Sequence, residues 1–281
     1  MKNLKALYPH LLVLVGFVLV ALIYFYPVLQ GNKIFQSDIV QYTGMAKEQN
    51  DYRKETNAEP YWTNSAFGGM PTYQLGAKYP HNYIKQLDLA LRFLPRPADY
   101  LFLYLLGFYI LLLVLKIDYK IAVLGALAFG FSTYLIIILG VGHNAKAHAI
   151  AYMPLVLSGI ILTFQKRYFL GFILTAVASG LELVTNHPQM TYYLGILIII
   201  LGLSYLFQAI KTKELQAFFK ASVTLLVAAI FAFGMNASNL MATSEYAKES
   251  TRGQSELTIN PDGSTKTQTT GLDKAYITQF S

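Results

Sequence analysis

The chain has 281 residues, of which 54% are hydrophobic and 13% charged, with a mean hydropathy of +0.41. Soluble domains carry roughly 45–50% apolar and about 25% charged residues, and several apolar runs here exceed the roughly 17 residues that cross about 30 Å of hydrocarbon as a helix, so a water-soluble globule is excluded. The surplus of 22 Lys and Arg over 15 Asp and Glu then belongs to one side of a membrane rather than to nucleic acid, and the absence of cysteine excludes disulfides, thiolate metal sites and a Cys nucleophile.

The first apolar run, Leu11 to Leu29, is too long for a signal-peptide core and lacks a small-residue cleavage pattern, so it reads as a retained helix. Seven spans are predicted, at about 8–29, 98–116, 120–140, 148–165, 168–185, 191–210 and 217–237. An odd number puts the termini on opposite sides. With the N-terminus in the cytoplasm, Lys2, Lys5, Lys116, Lys120, Lys166, Arg167, Lys211, Lys213 and Lys220 lie inside against Asp118 and Glu214, while the two short outer loops hold Lys146 alone; the positive-inside rule selects this orientation.

The fold class is therefore an all-α, polytopic helix bundle. Residues 1–237 form the bundle with a large outer loop, 30–97, and 238–281 form a polar outer tail. In the loop, Asp38 to about Lys54 aligns Ile39, Tyr42, Met45, Ala46, Gln49 and Tyr52 on one stripe. Tyr83 to Leu94 aligns Ile84, Leu87, Leu91 and Leu94 opposite Lys85, Asp88 and Arg92. Both segments read as interfacial amphipathic helices. In the tail, Asn260-Pro261-Asp262-Gly263 signals a hairpin, and the chain reads as the N-terminal piece of something longer.

Four groups of residues carry candidate chemistry. Asp38, just beyond the first span, suits a general base near a lipid-borne donor; alternatively, Ser37 or Asp38 caps the following helix, with Gln41 closing a capping box. In Gly140-Val141-Gly142-His143-Asn144-Ala145-Lys146-Ala147-His148, the outward start of the fourth span offers free N–H groups, two His, Asn144 and Lys146 to a phosphate; the other reading is a tight turn with glycines at positive φ and wet polar residues. Glu182, about one turn inside the fifth span and followed by Asn186, His187 and Gln189, either lines the site or bonds across helices. Pro188 opens the next helix, with Asn186 or His187 as its cap. Tyr61, Trp62, Phe67 and Tyr73 either stack on sugar rings or form an interfacial belt. His143, His148 and His187 with Asp38 or Glu182 could bind a divalent cation brought by the substrate, but no ligand spacing marks a dedicated metal site.

Five segments carry a resemblance: Gln36-Ser37-Asp38-Ile39-Val40-Gln41-Tyr42, Tyr61-Trp62 with Phe67-Gly68-Gly69-Met70-Pro71-Thr72, Gly142 to Lys146, Thr185-Asn186-His187-Pro188-Gln189-Met190-Thr191-Tyr192-Tyr193, and Leu272 to Gln279. The chain resembles the N-terminal portion of bacterial YfhO-family membrane proteins, a group placed with the GT-C glycosyltransferases. The resemblance implies a multi-pass plasma-membrane bundle whose first outer loop carries juxtamembrane helices and an acidic catalytic residue, at the position of Asp38. It also implies a polyprenyl-phosphate-linked sugar as donor and a cell-envelope glycan or lipid as acceptor. The superfamily often pairs two acidic residues in this loop, whereas Asp38 has no adjacent carboxylate. A transporter or assembly factor for lipid-linked glycans is the alternative class, and it requires polar groups at midplane.

Overall fold

The computed structural model describes residues 2–248 and Ser264; the hairpin expected at Asn260–Gly263 lies outside the described residues. Thirteen α-helices occur among these: α1 (Lys2–Tyr24), α2 (Tyr26–Leu29), α3 (Ser37–Met45), α4 (Lys47–Thr56), α5 (Tyr83–Leu91), α6 (Ala98–Val114), α7 (Tyr119–Gly130), α8 (Thr133–Val141), α9 (Asn144–Phe164), α10 (Tyr168–Leu183), α11 (Pro188–Thr212), α12 (Leu215–Met235) and α13 (Ala237–Lys248). The all-α class is as the sequence requires.

Among the described residues, four helices are long and apolar enough to cross a membrane: α1 from Leu7, α9, α11 and α12. A fifth arises if α7 and α8 count as one span bent by 47°. The bend falls at Phe131-Ser132, where the Ser132 backbone is extended (φ −59°, ψ 141°) and starts a new helix. α6 and α10 are apolar but only 17 and 16 residues long, about 26 and 24 Å at 1.5 Å per residue. Length alone thus supports four to five spans, against the seven expected from apolar runs, which take no account of bends or of where a helix starts.

The chain divides into two compact units. The first comprises the residues up to Gln41 and His81–Asn236. Its centre is α9, whose apolar window is 78% buried, against 11% for α11 and 17% for α12. On those outer helices Ile199, Leu203 and Phe207, and Val223, Leu226 and Ile230, are all more than half exposed. In water such faces would aggregate; in a bilayer they are the solvent-matched surface. Small residues let the inner helices approach closely. Gly159 of α9 lies against Thr175 of α10, Gly171 of α10 against Thr163 of α9, and a Cβ at Gly107 of α6 would come within 2.8 Å of the Ala151 carbonyl.

The second unit joins Tyr42–Pro80 to the chain from Ala237, a grouping that the division at residue 237 does not anticipate. The stripe expected over Asp38–Lys54 is interrupted at the buried Ala46, so α3 and α4 are separate helices. β1 (Trp62–Thr63) and β2 (Met70–Pro71) pair antiparallel, with Trp62 opposite Pro71. Ala66, Met70 and Leu75 form a small core on which Met45 and Tyr246 pack. The loop is tied down by charge. Glu48 Oε2 accepts hydrogen bonds from Thr63 Oγ1 (2.7 Å), Ser65 Oγ (2.6 Å) and the Asn64 and Ser65 amides (3.0 and 2.9 Å), and Arg53 pairs with Glu59 through two bonds of 2.6 and 2.5 Å.

Hydrogen bonds from Ser65 and Thr63 lower the Glu48 carboxyl from 4.5 to about 2. A group depressed in the folded state contributes fully above its ordinary value, and that contribution is lost as pH falls toward the folded one. Trp62 is the only tryptophan, and it sits over Gly69, where a Cβ would lie 2.9 Å from its ring, so its fluorescence reports on this loop. We expect a reversible emission change between about pH 4.5 and pH 2, and a similar change at neutral pH in Glu48→Gln. An emission spectrum constant down to pH 2 would contradict the assignment.

Candidate functional site

The site is built where the start of α3 meets the junction of α8 and α9. Gly142 takes a left-handed conformation (φ +92°) that ends α8, and a Cβ there would lie 2.8 Å from the Gln36 side chain. Gln36 Nε2 donates to the Leu139 carbonyl at 2.6 Å, fixing the approach of α3 to α8. The Gln36 carbonyl accepts from the Ile39 and Val40 amides, so α3 begins after Gln36 and Asp38 lies in its first turn rather than at the cap. There its charge complements the helix dipole.

Asp38 Oδ2 lies 3.5 Å from His143 Nε2, and the two side chains are 52% and 46% exposed. Two segments about a hundred residues apart are thus brought together. Beside them is a cavity of about 220 Å³ whose lining includes Asn32, Lys33, Gln36, Ile39, Arg96 and Asn144. Lys33 and Arg96 are absent from the sequence reading. Their only local signal is that each is a cation within a few residues of a span end, which does not distinguish them from other loop cations.

Asn144 and Lys146 are not in a loop, as expected, but in the first turn of α9, and both are half-buried. His187 belongs to the same neighbourhood: burial first, and then the charges of Lys146 and His143, hold its ring below the ordinary histidine range. Its Nδ1 accepts from the Met190 amide at 3.3 Å, so His187 rather than Asn186 caps α11. Asn186 takes a left-handed conformation (φ +53°), and Gln189 turns along its own helix to the Tyr193 hydroxyl at 2.9 Å.

His148 goes elsewhere. The sequence suggests it as a phosphate ligand with Asn144, one turn earlier on α9, yet it is only 4% exposed and its Nε2 is taken by the Asp88 carboxylate. Tyr152 donates to the same carboxylate at 3.0 Å, Arg92 bonds it through Nε and a terminal nitrogen at 3.2 and 2.9 Å, and Lys85 Nζ lies 3.0 Å away. Arg92 also reaches Asp99 at 3.5 Å. Asp88 is fully buried, which corrects the expectation that Lys85, Asp88 and Arg92 form the wet face of α5. That face instead meets the polar start of the bundle, while Leu87, Leu89 and Phe93 are exposed. Burial alone would raise the Asp88 carboxyl, but hydrogen bonds from His148 and Arg92 outweigh it and hold the group below the usual range.

Glu182 is 1% exposed, and both its oxygens accept from Thr191 Oγ1, at 2.9 and 3.1 Å; this is the bond across helices, from α10 to α11. The aromatic candidates lie in the second unit. Tyr61, stacked on Tyr79, Trp62 and Phe67 are exposed and Tyr73 is half-buried. Among the described residues, no group of three or more His, Asp and Glu side chains has the arrangement to hold a metal ion. Comparison of the chain with protein-family models, with curated proteins and with solved structures found no match.

Proposed function

We propose that the protein is an integral membrane glycosyltransferase of the GT-C type, which moves a sugar from a polyprenyl-phosphate donor to a cell-envelope acceptor at the outer surface of a bacterial plasma membrane. One observation carries this reading: a half-exposed carboxylate, Asp38, held 3.5 Å from His143, beside a cavity lined by Lys33, Arg96 and Asn144. A base next to a cationic cavity is what transfer from a phosphate-linked donor needs.

In this mechanism Asp38 accepts the proton of the acceptor hydroxyl, whose oxygen attacks the anomeric carbon. The bond from that carbon to the phosphate oxygen breaks, and the leaving phosphate gains charge facing Lys33, Arg96, Lys146 and the amide end of α9. His143 orients Asp38. His148 acts from one layer back, holding α9 through Asp88. The Glu182–Thr191 bond gives the neighbouring end of α11 a fixed position, with Asn186, His187 and Gln189 at the rim. Transport fits less well, because the buried hydroxyls of Ser158 and Thr163 bond to carbonyls of their own helix rather than lining a path.

Seven crossings follow if α6 and α10, close to the lower limit of about 17 residues, and the bent pair α7–α8 each traverse the bilayer. Lys116 and Lys120, Lys166 and Arg167, and Lys211 and Lys213 then share the inner face. Single cysteines in the cysteine-free chain are expected to react with an impermeant maleimide from outside at Thr56 and Ser264 and only from inside at Thr212; outside labelling at Thr212 would reverse the topology. Binding of a polyprenyl-phosphate sugar to the protein in nanodiscs tests the cationic cluster. Lys146→Met is expected to weaken it by roughly tenfold or more, the scale of one charge-assisted hydrogen bond, and unchanged affinity would remove Lys146 from the donor site.

A further inference from the structure

At the far ends of the same helices lies a second, larger cavity with no role in the proposed transfer. It has a volume of about 510 Å³ and is walled by Ile110 of α6, Leu162 of α9 and Ile173 of α10, with Gln165, Lys116 and Arg167 at one end. The arrangement follows from how the helices stop. α6 ends at Val114, α9 ends at Phe164 and α10 begins at Tyr168, so the polar residues of all three boundaries gather at one rim. Gln165 Nε2 donates to the Val114 carbonyl at 3.0 Å, closing the end of α6 against α9. Lys116 and Arg167 are both exposed, and among the described residues neither takes part in an ion pair, whereas the adjacent Lys166 is paired with Glu214 at 2.7 Å.

We infer that this groove binds one anionic diacyl phospholipid, with its phosphate between Lys116 and Arg167 and its acyl chains along Ile110, Leu162 and Ile173. Charge and length both select this occupant. Two unpaired cations at the mouth of an apolar groove between bilayer-embedded helices suit a lipid headgroup, since burying acyl methylenes satisfies the wall and the phosphate satisfies the rim. From Arg167 to Val177, which also lines the groove, the helix rises about 15 Å, half of the roughly 30 Å hydrocarbon core and so the depth of one leaflet. A soluble anion would leave the apolar wall uncovered, and a zwitterionic lipid would leave the rim without net negative charge. The inference rests on the membrane-spanning reading alone, independent of Asp38 and of sugar transfer.

The test is native mass spectrometry of the full chain released from nanodiscs containing equal phosphatidylglycerol and phosphatidylcholine, with glycerol phosphate as a headgroup-only competitor. Wild type is expected to retain one phosphatidylglycerol per chain in preference to phosphatidylcholine, with no displacement by millimolar glycerol phosphate. Preference is expected to fall roughly fivefold for each basic residue removed, in Lys116→Gln and Arg167→Gln, while Arg167→Lys retains it. Lys211→Gln, on a cation outside the groove, is expected to behave as wild type. Narrowing the wall with Ile173→Trp is expected to lower retention of both lipids. Equal retention of the two lipids by wild type, displacement by glycerol phosphate, or an unchanged preference in the folded Lys116→Gln/Arg167→Gln double variant would each overturn the inference. Folding of the variants is checked by helical circular dichroism and size-exclusion profile. Failure of the transfer chemistry would leave these readouts unmoved.

Discussion

Asp88→Ala is expected to cost about 3–5 kcal/mol of stability, the range found when one partner of a buried ion pair is removed. The substitution leaves Arg92, whose side chain is 3% exposed, with Asp99 at 3.5 Å as its remaining carboxylate among the described residues, and deprives His148 and Tyr152 of their shared acceptor. Asp88→Asn keeps an acceptor in place and is expected to cost less. Replacing the pair together, Asp88→Leu with Arg92→Met, is expected to recover part of the loss, because the stranded Arg92 charge disappears with its partner, while His148 and Tyr152 still lack their acceptor and Asp99 keeps Arg96 at 3.8 Å. The pH dependence has a definite sign. Asp88 is held below the ordinary carboxylate range in the folded protein, so its contribution is complete above about pH 4 and declines on acidification below that. Chemical denaturation in mild detergent measures all three variants. A loss below about 1 kcal/mol in Asp88→Ala, the scale of an exposed pair, would mean that the carboxylate is not the hub joining α5 to α9.

This network also marks where sequence reading stops. Apolar runs located the main helices because a bilayer demands them locally, residue by residue. The start of α11 was equally legible, since Pro188 is favoured in the first turn of a helix, and the cap proved to be His187. The bend between α7 and α8 was not, because one extended serine, Ser132, inside an apolar stretch leaves no mark in hydropathy. α5 misled for a physical reason. An amphipathic pattern is assigned by assuming that water lies on the polar side, whereas in a membrane bundle the polar stripe turns inward and apolar residues such as Leu89 and Phe93 face out. The candidate site was legible in part. Asp38, His143 and Lys146 stood out as polar residues in apolar context, but the pairing of Asp38 with His143 and the bond from Gln36 to Leu139 join residues about a hundred positions apart and have no local signature. Lys33 and Arg96 gained meaning only from the cavity that they line.

The second large effect concerns Asp38, where a structural and a chemical role differ in kind. Asp38 is about half exposed and lies within the first turn of α3, so replacing it by Asn removes a favourable charge–dipole contact of about 0.3–1 kcal/mol and little else. A general base, by contrast, contributes about 10²–10⁴-fold in rate, equivalent to about 3–5 kcal/mol at 1.36 kcal/mol per tenfold. The two roles are therefore separable by a single isosteric substitution, provided that stability, donor affinity and turnover are read on the same preparation. His143→Gln, which removes only the partner that orients Asp38, is expected to lower turnover less than Asp38→Asn.

Sugar transfer in proteoliposomes, from a polyprenyl-phosphate donor to a cell-envelope acceptor, measured for the protein and for Asp38→Asn, is the most direct test of this account. It predicts wild-type turnover, and in Asp38→Asn a fall of at least about a hundredfold with donor affinity and unfolding midpoint essentially unchanged. Turnover in Asp38→Asn equal to wild type would contradict it, and would leave Asp38 as a charge at the start of a helix.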